Sequence, residues 1–352
     1  MPLDTNEFVN ELLRSGYTHL CVVPCSFAKN LINSAINNQE INYLPCASEA
    51  IACSIAAGLK MSGSSPIVIV QSSGLTNMGS CITSLLVPYE INFPIIVSWR
   101  TYKEGDSEIQ HKHLAKNLPN LIESYGYEYE ILNKESIAIA KDQIRKSHFK
   151  RNISILEEGT FSEVKLGNEH SQNFRELEPR SSFLRKLDNS FKDTSVTFIG
   201  TTGNLSREMY TFMKGTKNFY MAGNMGGALS VGLGTSLSGR ETFVLGGDAE
   251  FVMHMGGLTT AGRYIKDMHL KYIVFDNQQN KSTGGQNTYQ THLDYPMIAR
   301  ASGLDSFDDA ITSSEELISK IQNTKHNFFW VRCGLDEVTP RPPINVVLNN
   351  EL

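Results

Sequence analysis

Two oxygen-bearing side chains, Asp248 and Asn277, stand roughly thirty residues apart, each at the end of a short apolar run. The first run, 243–245 (FVL), stops at Gly246-Gly247-Asp248, and the second, 272–275 (YIVF), ends at Asp276-Asn277-Gln278-Gln279. The stretch between them is helix-like. Two parallel strands joined by one helix bring their carboxyl ends side by side, at the edge where open α/β sheets bind ligands. The Asp248 carboxylate, the Asn277 amide oxygen and the Gln279 backbone carbonyl then make a hard-oxygen donor set. Mg²⁺ is held in this way, by one or two carboxylates together with phosphates of a bound molecule. The glycines allow backbone N–H groups to approach a phosphate closely. The run 243–288 therefore reads as a cradle for a Mg²⁺-bridged diphosphate. Upstream, Thr201-Thr202-Gly203 follow another apolar run and offer hydroxyls and N–H groups at a helix start, which suits a phosphate. A further titratable group is Glu49, in PCASEAIACSIAAGL. With Ser48 as N-cap it falls in a helix first turn, and the flanking Ala, Cys and Ile predict that it is buried.

The elements that position these residues form two α/β halves. Over 352 residues the chain has length for two domains, each with its own core. In the first half, strands are predicted at 19–23, 41–44, 67–70, 95–98 and 153–156, alternating with helices at 6–14, 28–37, 49–61 and 114–125. This pitch of alternation means a parallel sheet covered on both faces. A polar stretch at 167–179 (GNEHSQNFRELEP) breaks the pattern and is the expected linker. That sets expected domains at 1–166 and 180–352. The second half opens with a helix at 181–191 and a strand at 196–199, and runs through the cradle to a strand at 328–332. The tail 339–352 carries three prolines and is expected to pack as an extended strap.

A further reading comes from family resemblance. An Asp in a glycine turn followed about thirty residues later by an Asn resembles the fingerprint of the thiamine diphosphate (ThDP)-dependent 2-oxoacid decarboxylases. MHMGGLTTAG and STGGQNT are similar to segments of the phosphonopyruvate and sulfopyruvate decarboxylase group. The resemblance covers nearly the whole chain. It implies an α/β fold of two ThDP-enzyme-type domains, a pyrimidine-binding (PYR) domain and a diphosphate-binding (PP) domain, with no middle domain. Two positions depart from the pattern: Ala249 replaces a Gly and Asp276 replaces an Asn.

The resemblance also implies roles. Glu49 matches the acid that hydrogen-bonds N1′ of the cofactor pyrimidine. Met225, in MAGNMGGALSVGLG, matches the side chain wedged between the two cofactor rings, and the Gly223 carbonyl the acceptor for the 4′-amino group. Thr201, Thr202, Gly203, Gly247, Asp248, Ala249 and Asn277 match diphosphate contacts, and Asp248, Asn277 and Gln279 the Mg²⁺ ligands. QSSGLTN, with Ser73, and the Trp99–His111 stretch, with Arg100 and His111, are similar to family segments beside the substrate. Val23-Pro24-Cys25-Ser26 resembles a strand-to-helix turn of these enzymes, in which Ser26 would touch substrate. A substrate with two anionic groups needs converging cations, and Lys29, Arg100 and Lys281 are the candidates. The implied activity is a carboxy-lyase converting 3-phosphonopyruvate to phosphonoacetaldehyde and CO₂, a step of phosphonate biosynthesis. The implied assembly is a homodimer or larger homo-oligomer with its sites between subunits.

Other classes are weighed on the same residues. Sulfopyruvate decarboxylation needs the same constellation with a sulfonate in place of the phosphonate. A ThDP carboligase and a ThDP-binding protein without turnover are the more distant readings. No GxGxxG turn follows the first strand, which argues against a dinucleotide-dependent oxidoreductase. The formal charge of −5 and the lack of a basic block argue against nucleic acid or an anionic membrane as partner. No apolar run reaches membrane-spanning length, so a cytoplasmic protein is expected. Six cysteines show no CxxC or zinc spacing and read mostly as buried thiols, with Cys25 lacking a neighbouring base in sequence.

Overall fold

The computed structural model describes residues 1–103, 108–167, 170, 176–265, 269–336 and 339–348. Most of the expected linker, at 168–169 and 171–175, lies outside the described residues. The chain forms two compact units, Met1–Ser171 with Asn280–Asn287, and Gln172–Gln279 with Thr288–Leu352.

The first unit is built on six parallel strands: β1 (His19–Val22), β2 (Asn42–Pro45), β3 (Pro66–Gln71), β4 (Ile95–Ser98), β5 (Glu128–Ile131) and β6 (Asn152–Leu156). Their order is β2-β1-β3-β4-β6-β5, and every pairing is parallel. Successive residues of a strand point to opposite faces, so one strand feeds two cores. Leu20, Val22, Ile67, Ile69 and Ile96 pack on one side, while Cys21, Val68, Val70, Ile95 and Val97 pack on the other. The helix Glu49–Met61 presents Ala52, Cys53, Ala56 and Ala57 inward, small residues that let it lie close against the sheet. Strand order reverses between β1 and β3, which makes their carboxyl ends the switch point where ligands bind such sheets.

The second unit has five parallel strands: β7 (Thr197–Gly200), β8 (Lys217–Tyr220), β9 (Thr242–Gly247), β10 (Leu270–Asp276) and β11 (Phe328–Arg332). Their order is β11-β10-β9-β7-β8. Phe198, Phe243, Leu245 and Phe275 fill one core and Ile199, Val244, Tyr272 and Val274 the other. Phe191, Phe198 and Phe243 meet edge to face, with Phe243 centroids 5.0 and 5.3 Å from the other two rings.

Two expectations need correction. The tail is not extended throughout, because Ile344–Leu348 close a short helix after the prolines. The helix expected at 114–125 starts earlier and spans Ile109–Ser124, with Pro119 inside it. Strands β5 and β8, the helix Ile137–Lys146 and the short helix Ser72–Asn77 go unrecognised in the sequence.

One buried polar pair anchors the second unit. Arg180 opens the helix Arg180–Phe191 and reaches Glu208 through two hydrogen bonds, Nε to Oε2 at 2.6 Å and Nη2 to Oε1 at 2.9 Å. Both residues are buried. Removing one partner leaves the other charge desolvated and unpaired, which costs about 3–5 kcal/mol. Glu208→Ala is therefore expected to lower the urea midpoint sharply, while Arg180→Met with Glu208→Leu loses much less. Equal losses in the single and double variants would refute this account.

Candidate active site

In the second unit the residues of the expected cradle converge at the carboxyl edge of the sheet. The register pairs Gly246 with Val274 and Gly247 with Phe275, so Asp248 and Asn277 leave adjacent strand tips. Asp248 opens the helix Asp248–Met253 and is buried. Its carboxyl is pushed up to about 7, first by burial and then by the Asp276 carboxylate. Thr288 Oγ1 donates to Asp248 Oδ2 at 2.8 Å. Asp276 is itself anchored, accepting from Trp330 Nε1 at 3.1 Å and Gln278 Nε2 at 2.6 Å. Asn277 Oδ1 accepts from the Gln279 N–H at 3.1 Å, and an amide oxygen keeps a second lone pair for another partner. Gln278, between them, takes a left-handed φ of 56°, which turns its carbonyl toward the Thr288 N–H. A non-glycine residue in that region is worth noting, since such strain concentrates at functional sites.

On the other side of β9, β7 delivers Thr201, whose N–H continues the ladder to the Leu245 carbonyl at 2.9 Å. Thr201 Oγ1 is buried with no hydrogen-bond partner, and a buried hydroxyl without one calls for a bound group. Thr202 is half-buried, and Gly203 takes φ 83° as it caps the helix Asn204–Phe212. Ser206 Oγ donates to the Thr201 carbonyl at 2.6 Å and lies within 3.2 Å of the Gly200 and Met221 carbonyls, between the tips of β7 and β8. After β8 the chain makes a tight turn through Gly223, Asn224, Met225, Gly226 and Gly227. A Cβ at Gly227 would sit 2.2 Å from Asn224 Nδ2 and displace that side chain, and Gly226 takes the left-handed φ of 88° that favours glycine. Met225 and Gly223 are half-buried.

Two residues of this edge escape the sequence reading. Thr288 ends the STGGQNT segment but carried no assigned role. Glu250 is buried, its carboxyl pushed up to about 7 by desolvation, and accepts from Tyr272 Oη at 3.0 Å. Gly246 makes room for it, since a Cβ there would lie 2.5 Å from Glu250 Oε2.

In the first unit the candidates gather at the carboxyl ends of β2, β1, β3 and β4. Glu49 follows β2, is 4% exposed and starts its helix behind the Ser48 cap. Asn77 Nδ2 donates to Glu49 Oε2 at 2.8 Å. Ser73 lies on the short helix after β3 and its hydroxyl accepts from Gln71 Nε2 at 2.6 Å. Arg100, after β4, is buried and ion-paired with Glu108, and it also donates to Ser26 Oγ and stacks over Phe27. His111 is buried with Nε2 3.7 Å from Glu108 Oε2. Cys25 accepts from Ser98 Oγ at 3.2 Å, and burial raises its thiol, so it is no nucleophile. Lys29 and Lys281 are half-buried in this unit, and Gly284 packs on Lys29, where a Cβ would lie 2.6 Å from Cγ. No described carboxylate lies at ion-pair distance from either lysine.

Among the described residues no group of three or more His, Cys, Asp or Glu is placed to hold a metal ion. An ion at this edge would rely on Asp248, on amide and carbonyl oxygens and on phosphate, the donor mix that Mg²⁺ takes. A carboxyl disfavoured by its surroundings, an unpartnered hydroxyl and glycine-bared backbone all fit a metal-bridged diphosphate.

Residues 4–117 match the thiamine pyrophosphate enzyme N-terminal TPP binding domain, and residues 199–331 the C-terminal TPP binding domain. The chain is 31% identical over 337 residues to a phosphonopyruvate decarboxylase of Streptomyces viridochromogenes, covering 88% of this chain and 84% of that one. It is 26% identical over 352 residues to a sulfopyruvate decarboxylase of Methanosarcina acetivorans, covering 92% and 88%. Shorter stretches are similar to the alpha and beta subunits of sulfopyruvate decarboxylase from Methanocaldococcus jannaschii. The alpha match is 32% over 91 residues, 26% of this chain and 54% of that one. The beta match is 31% over 148 residues, 41% and 76%. No described helix is long and apolar enough to cross a membrane. With both ThDP-binding domains present on two parallel sheets, the chain belongs to the thiamine diphosphate-dependent decarboxylases of phosphonopyruvate and sulfopyruvate type, and is a carboxy-lyase.

Proposed function

We propose that the protein decarboxylates 3-phosphonopyruvate to phosphonoacetaldehyde and CO₂, in a step of phosphonate biosynthesis. The observation that carries it is Glu49, a buried carboxyl held at the switch-point edge of the first sheet with Arg100 three strands away at the same edge. Greater likeness to the phosphonopyruvate relative supports the phosphonate over the sulfonate substrate. ThDP, when bound, supplies the electron sink that accepts the pair released with CO₂. The chain's own residues do the rest. Glu49 holds and returns a proton at N1′ of the pyrimidine. Asp248, Asn277 and the Gln279 carbonyl would hold Mg²⁺, and the backbone at Thr201, Thr202, Gly203, Gly247 and Ala249 would hold the diphosphate. Met225 would pack against the cofactor rings, and the Gly223 carbonyl would accept from its amino group.

Substrate contacts fall to the first unit. Because Glu108 already engages Arg100, the cations with charge to spare for a phosphonate are Lys29 and Lys281. Ser26 and Ser73 offer hydroxyls, and His111 a proton for the departing product. CO₂ release should be measured with ThDP and Mg²⁺ on phosphonopyruvate, sulfopyruvate and pyruvate side by side. A kcat/KM for phosphonopyruvate roughly tenfold or more above that for sulfopyruvate is expected. The reverse order transfers the reading to sulfopyruvate. No turnover of any of the three leaves a ThDP-binding protein without this activity.

The working form in this reading is a homodimer or larger homo-oligomer, each cofactor held by Glu49 of one subunit and Asp248 of another. Two features support it. The outward face of the Glu49–Met61 helix exposes Ile51, Ile55 and Met61, and the second unit exposes Leu237, Met255 and Tyr264. The Methanocaldococcus relatives are named as the alpha and beta subunits of a sulfopyruvate decarboxylase, an enzyme made of more than one chain. In a two-fold dimer every mixed pair of Glu49→Gln and Asp248→Ala chains has one site with both residues intact. Random mixing should therefore restore about a quarter of wild-type activity from two inactive proteins. An active monomer in sedimentation, or no recovery in a verified mixed dimer, would rule out shared sites.

A further inference from the structure

We propose that Asn77 is a positioning residue, fixing the Glu49 carboxyl group in the orientation that cofactor activation needs. The inference rests on the reading of Glu49 given above. Asn77 ends the short helix Ser72–Asn77 that follows β3, and its Nδ2 lies 2.8 Å from Glu49 Oε2. Gly74, one turn earlier on the same helix face, supplies the other half of the clamp. A Cβ at Gly74 would lie 2.4 Å from Glu49 Oε1, 2.6 Å from Cγ and 2.8 Å from Cδ. The carboxyl is thus pressed flat against bare backbone on one side and hydrogen-bonded on the other. A flexible Glu side chain held at two points keeps one rotamer, which a proton relay needs more than it needs affinity.

Burial does not explain Asn77. Glu49 is 4% exposed, whereas Asn77 is exposed, and the bond to Glu49 is the described hydrogen bond of its side chain. Nor does Asn77 cap its own helix, since Met78 takes that place through its N–H to the Leu75 and Thr76 carbonyls. The same short helix reaches the other side of the edge. Ser72 Oγ accepts from the Arg100 N–H at 3.4 Å, so one element sets both the acid after β2 and the cation after β4.

The test uses the purified chain with ThDP and Mg²⁺ and reads exchange of the cofactor C2 proton with deuterium, ThDP affinity and steady-state rates. Asn77→Ala should slow both exchange and kcat by roughly ten- to a hundredfold, the worth of one hydrogen bond to a charged group. KM and ThDP affinity should stay within about twofold, and Asn77→Gln, which keeps an amide donor, should recover part of the loss. In the Glu49→Gln background, Asn77→Ala should add less than about twofold, because both act on one group. Unchanged exchange in Asn77→Ala, or a full additive loss on top of Glu49→Gln, overturns the proposal. A Glu49→Gln variant with normal exchange instead sinks the reading of Glu49 itself. If Asn77→Ala does not fold, Gly74→Ala decides. Its added methyl displaces the same carboxyl with Asn77 still present, and normal exchange there would equally refute the clamp.

Discussion

Glu49→Gln is expected to bind ThDP almost as tightly as wild type while losing roughly 10²–10⁴-fold in kcat and in C2-proton exchange. The substitution is nearly isosteric. An amide oxygen at position 49 can still accept from Asn77 Nδ2, and the Ser48 cap on the Ile51 N–H is untouched. The buried site therefore keeps its shape, and the melting temperature should move by no more than about 4 °C, the equivalent of roughly 1 kcal/mol or less. The proton relay is what disappears. A neutral amide neither gives up nor recovers a proton at working pH, so it cannot exchange one with the pyrimidine. Pre-steady-state exchange separates this from a binding defect, because it is read on cofactor already bound. Turnover within a few fold of wild type would show that some other acid serves the cofactor.

How much of this was legible in the sequence depends on where a residue sits in its sheet. Central strands β9 and β10 are covered on both faces, so FVL and YIVF stand out as unbroken apolar runs and their tips can be placed. Strands β5 (EYEI) and β8 (KNFY) lie at sheet edges, half in solvent, and carry polar residues that disguise them. The burial of Glu49 was readable because its neighbours Ala52, Cys53 and Ala56 are small and apolar, marking the helix face that meets the sheet. The tail misled because prolines forbid helix only where they stand. Three of them precede Ile344–Leu348, which is free to coil.

Partners across the fold were the hidden part. Thr288 reaches Asp248 over 40 residues of chain and Asn77 reaches Glu49 over 28. Nothing local in the sequence announces such a contact. The departure at Asp276 has a similar explanation. Its carboxylate is taken up by Trp330 and Gln278, so it acts as an anchor for the turn and raises the carboxyl of Asp248 beside it. Arg100 is legible from its segment and its charge, whereas only the fold sets Glu108 against it.

Asp248→Ala should have opposite effects on the apo and the loaded protein, and that contrast is the sharpest test of the metal site. In the folded chain Asp248 keeps its proton up to about pH 7, because burial and then Asp276 disfavour the carboxylate. In the unfolded chain it ionises near an ordinary value of about 3.9. Folding thus takes up a proton between those two values, and this group's share of the stability falls as pH rises from about 4 to 7 and stays lost above. Alanine removes that loss, at the expense of the Thr288 hydrogen bond. At pH 8 the apo variant should accordingly match or exceed wild type, by on the order of 1–2 kcal/mol. The loaded state responds the other way. A divalent cation held at Asp248 would relieve the carboxylate and favour diphosphate binding, so ThDP at a hundred times its Kd should stabilise wild type by about 2.7 kcal/mol. The variant should gain almost nothing from ThDP with Mg²⁺. The ion also competes with a proton for Asp248, so wild-type metal affinity should climb with pH and level off above about 7. Urea unfolding with and without ThDP, Mg²⁺ and a chelator reads all of these. A variant that keeps its metal-dependent stabilisation, or a wild type whose metal affinity ignores pH, would place the ion elsewhere.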